Sequence, residues 1–156
     1  MGDGQDEMIK YASSTLVSTT RSKEEIERTL KRFGASDVLC VEWRGKGAVL
    51  FEFNGKRVRI TADLPTEART PKGRRPRHPE LALETASRQI WRALLVTIKG
   101  QMTAIEAGIK TFEAAFIGDI LLSNGQTVAE WALPQVEQVY LTGDMPPMLF
   151  LPNPSD

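Results

Sequence analysis

Eight large apolar residues, Trp91, Leu95, Ile98, Met102, Ile105, Ile109, Phe112 and Phe116, succeed one another at alternating intervals of four and three. That spacing is a heptad seam, and it commits this part of the chain to a helix whose apolar stripe must be covered. Taking Trp91 as position d makes Leu95, Met102, Ile109 and Phe116 the a residues. The surrounding pattern predicts one helix from Pro79 to Ile117, thirty-nine residues, with the proline at the first position, where its missing N–H is harmless. At about 1.5 Å per residue that helix spans about 58 Å, against a radius of gyration of about 15 Å for a domain of this length. It must therefore bend or reach a second subunit. Gly100, and after it Gly108, are the expected bends, because glycine costs about 1 kcal/mol against alanine inside a helix.

Two closures of the seam are open. The stripe can pack on a sheet of the same chain, or on a partner. The e positions read Arg92, Lys99, Glu106 and Glu113, a pattern complementary to itself when two copies lie antiparallel about a two-fold axis. The f positions, Ala93, Gly100, Ala107 and Ala114, are all small and admit a close neighbour. The expected oligomer interface thus comprises Trp91, Arg92, Leu95, Ile98, Lys99, Met102, Ile105, Glu106, Ile109, Phe112, Glu113 and Phe116 of a homodimer. Exposed ion pairs contribute only about 0 to 1 kcal/mol each, so the charges alone do not choose.

Upstream of the helix the signals are those of a sheet. Residues 1–10 read as disordered, and Tyr11 to Thr20, rich in β-branched residues, as a strand. Ser22-Lys-Glu-Glu25 has the form of a capping box opening a helix over 23–33, with Ile26, Leu30 and Phe33 on one face and Gly34 as its left-handed cap. Val38 to Trp43 and Lys46 to Phe53 form strands joined by Arg44-Gly45. Asn54-Gly55, a strong hairpin signal, leads into a third strand, Lys56 to Ala62. Val49, Phe51, Phe53, Val58 and Ile60 share the buried face of this meander, and Arg57 and Arg59 point away from it.

Net charge is zero, yet unevenly distributed. Residues 31–77 carry twelve basic and five acidic groups, whereas residues 78–156 carry four and nine. A basic face of this kind suits an anionic partner. The linker 66–78 holds Arg69, Lys72, Arg74, Arg75 and Arg77 with Pro71 and Pro76, is followed by Pro79, and has nothing to bury. It reads either as a solvated spacer or, with Lys56, Arg57 and Arg59, as a phosphate-contacting arm for DNA or RNA. The arm offers no aromatic platform, so base-specific readout is not indicated.

Beyond the long helix come an extended piece from Ile120 and a second capping box, Thr127-Val-Ala-Glu130. A C-terminal helix to residue 142 comes next, with Pro134 interrupting or restarting it. Val136, Val139 and Tyr140 are its expected inner face, Gly143 lies past its end, and the tail 145–152 is apolar and proline-rich.

Chemistry-bearing clusters are sparse. His78 is the one histidine and lies in the basic segment; Cys40 is the one cysteine and falls within a strand, as a small core residue does. Two of Asp37, Glu42, Glu52 and Asp63 could converge as a metal or acid/base pair, but their alternation with apolar residues fits outward-facing strand positions better. No catalytic residue, metal-ligand set or phosphate-cradling glycine loop is assigned, and no cofactor is expected. The single cysteine, the absence of an apolar run of membrane-spanning length, and an acidic start without a hydrophobic stretch predict a cytoplasmic chain with no membrane partner.

Two stretches, RQIWRALLVTIKGQMTAIEAGIKTFEAAF (Arg88 to Phe116) and LLSNGQTVAEWALPQVEQVYLTGDMPP (Leu121 to Pro147), together with YASST and SKEEIERTLKRFGA nearer the start, resemble a family of small hypothetical proteins of tailed bacteriophages and prophages. The resemblance runs over residues 11–149. It implies a phage-type accessory protein of the host cytoplasm and brings no functional residues with it. In architecture alone, a meander before a long helix is similar to the single-strand annealing proteins, which proves no function. The expected fold is α+β, one domain over 11–152. Its sheet region (11–65) is covered by the long helix (79–117) and capped by the C-terminal piece (120–142). The expected function is non-enzymatic association with nucleic acid; the alternative is a protein-binding module, such as a phage inhibitor of a host defence or metabolic enzyme.

Overall fold

The computed structural model describes residues 19–67 and 74–144. Its first helix, α1, occupies residues 19–32 and precedes a three-stranded antiparallel sheet of order β1 (Ser36–Trp43), β2 (Lys46–Phe53), β3 (Lys56–Asp63). Three further helices come after it: α2 (Pro79–Glu106), α3 (Phe112–Phe116), which continues into a 3-10 turn at Ile117–Asp119, and α4 (Val128–Thr142). The fold class is α+β, as expected, and no helix of the described residues is long and apolar enough to cross a membrane.

The meander forms where its turns dictate. Arg44-Gly45 and Asn54-Gly55 each place two successive residues at positive φ, the primed turn whose twist matches the flanking strands. Eight-residue strands then pair in register, Cys40 with Val49 with Ile60, and Phe51 with Val58. These positions face one way, towards α1, α2 and α3. Val49 and Val58 are fully buried there with Ile26 and Leu30 of α1 and Trp91 and Ile98 of α2. Phe51 and Phe53 meet Phe116 and Phe112 of α3 at ring-centroid distances of 5.6 Å and 4.4 Å.

Several expectations are corrected. Thr19 and Thr20, expected at the end of a strand, are helical; residues 11–18 and the segment 1–10 lie outside the described residues. Ser22 therefore sits within α1 and does not cap it, and Glu25, its supposed capping partner, pairs with Lys99 of α2 instead. Gly34 does end α1 in the left-handed conformation, with Ala35 N–H donating to Leu30 C=O at 3.0 Å.

The long helix breaks at Gly108, not at Gly100. Ala107 closes α2, Gly108 takes φ 70°, and Ile109 N–H donates back to Ala104 C=O at 2.9 Å, the six-residue closure typical of a glycine-terminated helix. Gly100 lies in uninterrupted helix with open space where a Cβ would stand. The Thr111 side chain then accepts from Ala114 N–H at 3.1 Å and starts α3, which turns Phe112 and Phe116 back onto the sheet.

This break settles the seam. Trp91, Leu95, Ile98, Met102, Phe112 and Phe116 are buried in the chain's own core and Ile105 packs against it, while Ile109, in the reversal, is 74% exposed. The charged row is also engaged internally, Lys99 with Glu25 and Glu113 with Lys56, leaving Arg92 and Glu106 exposed. A homodimer closed along these twelve residues would have to open the core, because every apolar side chain it needs except Ile109 already has its cover.

The C-terminal helix departs from expectation in two ways. Pro134 is accommodated inside α4, and of the expected inner face only Val139 is half-buried: no α4 side chain is fully buried, Val136 is exposed, and Tyr140 is 87% exposed. The tail 145–152 lies outside the described residues.

Candidate nucleic-acid interface

The face of the sheet opposite the helices carries Leu39, Val41 and Trp43 of β1, paired with Leu50, Ala48 and Lys46 of β2 and, through them, with Arg59, Thr61 and Asp63 of β3. At its corner Trp43 is 70% exposed, and the Arg44 guanidinium lies 5.4 Å from its ring centroid. Lys46 pairs with Asp63 at 2.6 Å in the same row. The turn is tied to the end of β3: Leu64 N–H donates to Gly45 C=O at 2.7 Å, so the chain leaving β3 towards the basic arm departs from beside Arg44.

The same end of the sheet is stiffened from the inside. Glu42, one residue before Trp43 and on the opposite face, accepts from Trp91 Nε1–H at 2.7 Å and pairs with Lys23 at 2.9 Å; the Lys23 ammonium stands 4.6 Å from the centroid of the Trp91 ring. Gly47 lets that ring come close, since a Cβ there would stand 3.1 Å from Trp91 Cζ2. Trp91 over Gly47 also fixes the position of α2 along the sheet. All five buried α2 side chains lie from Trp91 to Met102, and Ile90 just before them packs against the same core.

The expected contact residues divide into two groups. Lys56 and Arg59 are held by the C-terminal half: Lys56 Nζ lies 3.1 Å from Glu113, and the Arg59 guanidinium donates to both Glu130 carboxylate oxygens, at 2.7 and 3.0 Å, and to Gly125 C=O at 3.2 Å. Arg57 is exposed beside Glu52 in register. Arg75 and Arg77 are exposed, Arg74 has partners, and Arg69 and Lys72 lie outside the described residues. The Asn54-Gly55 hairpin and the start of the arm are not neighbours. β3 separates them by eight residues, roughly 23 Å at about 3.3 Å per step. The start of the arm adjoins Arg44 instead, a cation that the charge pattern alone did not single out, while Lys46 beside it is engaged by Asp63.

The titratable groups are arranged for structure. Partial burial pushes the Glu42 carboxyl up, and the hydrogen bonds from Lys23 and Trp91 with the Lys23 charge outweigh it, so it titrates below the usual carboxylate range. The backbone hydrogen bond at Thr127 chiefly lowers Glu130, aided by Arg59. Burial pushes the Cys40 thiol up to about 11, which leaves it protonated and unreactive near neutrality. Glu42, Glu52 and Asp63 do not converge: Glu42 faces inward, whereas Glu52 and Asp63 lie on the outer face paired with Arg57 and Lys46 in register. Among the described residues no group of three His, Cys, Asp or Glu side chains could hold a metal ion.

Trp43 is the side chain that pattern reading passed over. β1 is apolar on both faces over Val38 to Val41, so alternation along this strand cannot say which face is covered. The register with β2 decides it. No protein-family model matches the chain, and searches of curated proteins and of solved structures return no significant match.

Proposed function

We propose that this chain is a non-enzymatic accessory protein, of the phage type its sequence resembles, that associates with nucleic acid in the host cytoplasm through the basic end of its sheet. The observation that carries the reading is the tether at Gly45, which brings the start of the arm to the turn that presents Arg44. Arg75 and Arg77 stand exposed further along that arm, and Arg57 supplies a more distant exposed cation. Residues 78–156 carry nine acidic groups against four basic ones, and there Glu113 and Glu130 are engaged by Lys56 and Arg59. Counterion release makes such binding salt-dependent. With three phosphate contacts, affinity should fall roughly 20- to 40-fold between about 50 and 200 mM salt.

Fluorescence anisotropy with labelled single- and double-stranded DNA at those two salt concentrations tests this. Binding that weakens by less than about threefold, or no binding, counts against it.

The second reading, a protein-binding module, is favoured by α4. Ala129 rests on Gly118, and Leu133, Val136 and Tyr140 continue its stripe into solvent. Leu133→Asp leaves nucleic-acid affinity unchanged under the first reading and abolishes partner binding under the second.

A further inference from the structure

The geometry points to Trp43 and Arg44 as a stacking site for an unpaired base, which makes the ligand single-stranded; this rests on the nucleic-acid reading above and names its ligand class. Three observations bear on it.

The first is the position of the indole. Trp43 lies on the open face at a corner of the sheet, 70% exposed, while Trp91 is completely enclosed on the covered face of the same end. A flat aromatic surface at a basic edge offers what a base accepts, a π face indifferent to base identity. Within a duplex each base already has neighbours above and below and shows only its edges in the grooves. The face of Trp43 is therefore complementary to a strand whose bases are free.

The second is the residue beside it. The two hairpin turns are conformational twins: Arg44 and Gly45 at φ 48° and 73°, Asn54 and Gly55 at φ 50° and 70°. Asparagine tolerates the left-handed region and arginine does not, so Arg44 strains a turn that the same chain elsewhere builds without strain. The strained residue places a planar cation 5.4 Å from the Trp43 ring. Guanidinium planes stack on bases as aromatic rings do. Backbone strain at a ligand-facing position is a recognised feature of binding sites.

The third is the path away from the tip. Leu64 is bonded to Gly45, so a strand stacked at Trp43 lies at the origin of the arm, with Arg75 and Arg77 exposed further along it. Asp63 does not oppose the backbone there, because Lys46 neutralises it at 2.6 Å. Stacking then supplies the preference for single strands and the arm supplies the salt dependence.

The test uses the full chain carrying Trp131→Phe, so that Trp43 is the one substantially exposed indole, and a short oligothymidylate alongside a duplex of equal length. Oligothymidylate is expected to quench tryptophan emission. Trp43→Ala should weaken oligothymidylate binding roughly tenfold or more with an unchanged salt slope, Trp43→Tyr should retain most of it, and duplex binding should change by less than about twofold. Arg44→Asn separates a binding role from a structural one: it should raise the melting temperature by relieving the turn, yet weaken oligothymidylate binding. If Trp43→Ala binds oligothymidylate like the parent while Arg75→Glu with Arg77→Glu does not, the stacking site is overturned and the basic arm stands. Arg44→Asn leaving affinity unchanged overturns the role of Arg44. Failure of the parent protein to bind either nucleic acid overturns both this site and the function on which it rests.

Discussion

Trp91 donates its indole N–H to the Glu42 carboxylate at 2.7 Å, joining the first residue of the heptad seam to the edge strand of the sheet. Lys23 completes the contact from α1, 2.9 Å from Glu42 and 4.6 Å from the Trp91 ring centroid, so three elements meet at one polar point beneath the candidate interface. Burial of an indole is favourable only when its N–H finds an acceptor, and here that acceptor is charged.

Trp91→Phe removes this donor and part of the ring volume. Hydrogen bonds to charged groups contribute about 1.5–3 kcal/mol, so unfolding in urea should show a loss of about 2–3 kcal/mol. Glu42 remains paired with Lys23, which keeps the loss from being larger. A change below about 0.5 kcal/mol would show that the bond contributes nothing.

Gly47 and Gly100 should respond to alanine in opposite directions. A Cβ at Gly47 would press on Trp91 Cζ2 at 3.1 Å, and the ring is walled in, so Gly47→Ala should destabilise by about 1–3 kcal/mol. At Gly100 the space is open within a regular helix, so Gly100→Ala should stabilise by about 0.5–1 kcal/mol. Thermal melts of both variants decide it; equal signs would mean that the placement of α2 on the sheet is wrong.

Acid should weaken the fold through a known set of carboxylates. Glu25, Glu42, Glu113 and Glu130 all titrate below their ordinary value in the folded protein, chiefly through Lys99 for Glu25 and through backbone hydrogen bonds for Glu113 and Glu130. Depressed folded values mean stability that is fully present above the unfolded value of about 4.3 and lost as pH falls through the folded ones. Burial raises Asp119, which opposes the trend with a single group. Urea midpoints should thus hold steady from neutrality to about pH 5 and decline below about 4.3. A midpoint that rises on acidification contradicts this assignment.

Helix α4 depends on its first turn. Thr127 accepts from Glu130 N–H at 3.2 Å, the Glu130 side chain accepts from Thr127 N–H at 2.8 Å, and Arg59 grips the same carboxylate. Since no α4 side chain is buried, little else holds it, and Thr127→Ala should cost about 1 kcal/mol of local stability. Hydrogen exchange should quicken across residues 128–142 while the core of the sheet keeps its protection. Uniform acceleration over the whole chain would instead make α4 part of the global unfolding unit.

The sequence by itself determined the elements whose causes are local. Asn54-Gly55 and Gly45 accept positive φ readily and so place both hairpins, with Arg44 carried into the same region at a cost; alternation from Val49 to Phe53 and at Val58 and Ile60 selects the buried face of those strands; Thr127 and Glu130 satisfy each other across three residues. What only the tertiary structure decided are the choices among partners equally acceptable to local chemistry. A heptad seam is satisfied by any apolar surface, and whether that surface belongs to this chain or another depended on where the helix stops, Gly108 and not Gly100. The charges at Glu25, Lys99, Lys56 and Glu113 could have paired along their own helices or between copies, and the packing of α1 and α3 assigned them to each other across the fold. Trp43 was legible as a strand residue but not as an exposed one, because β1 carries apolar residues on both faces and only its register with β2, with α1, α2 and α3 packed on the other face, turns that indole to solvent. Local propensity reaches a few residues along the chain; the free energy that separates these alternatives comes from surfaces brought together across dozens.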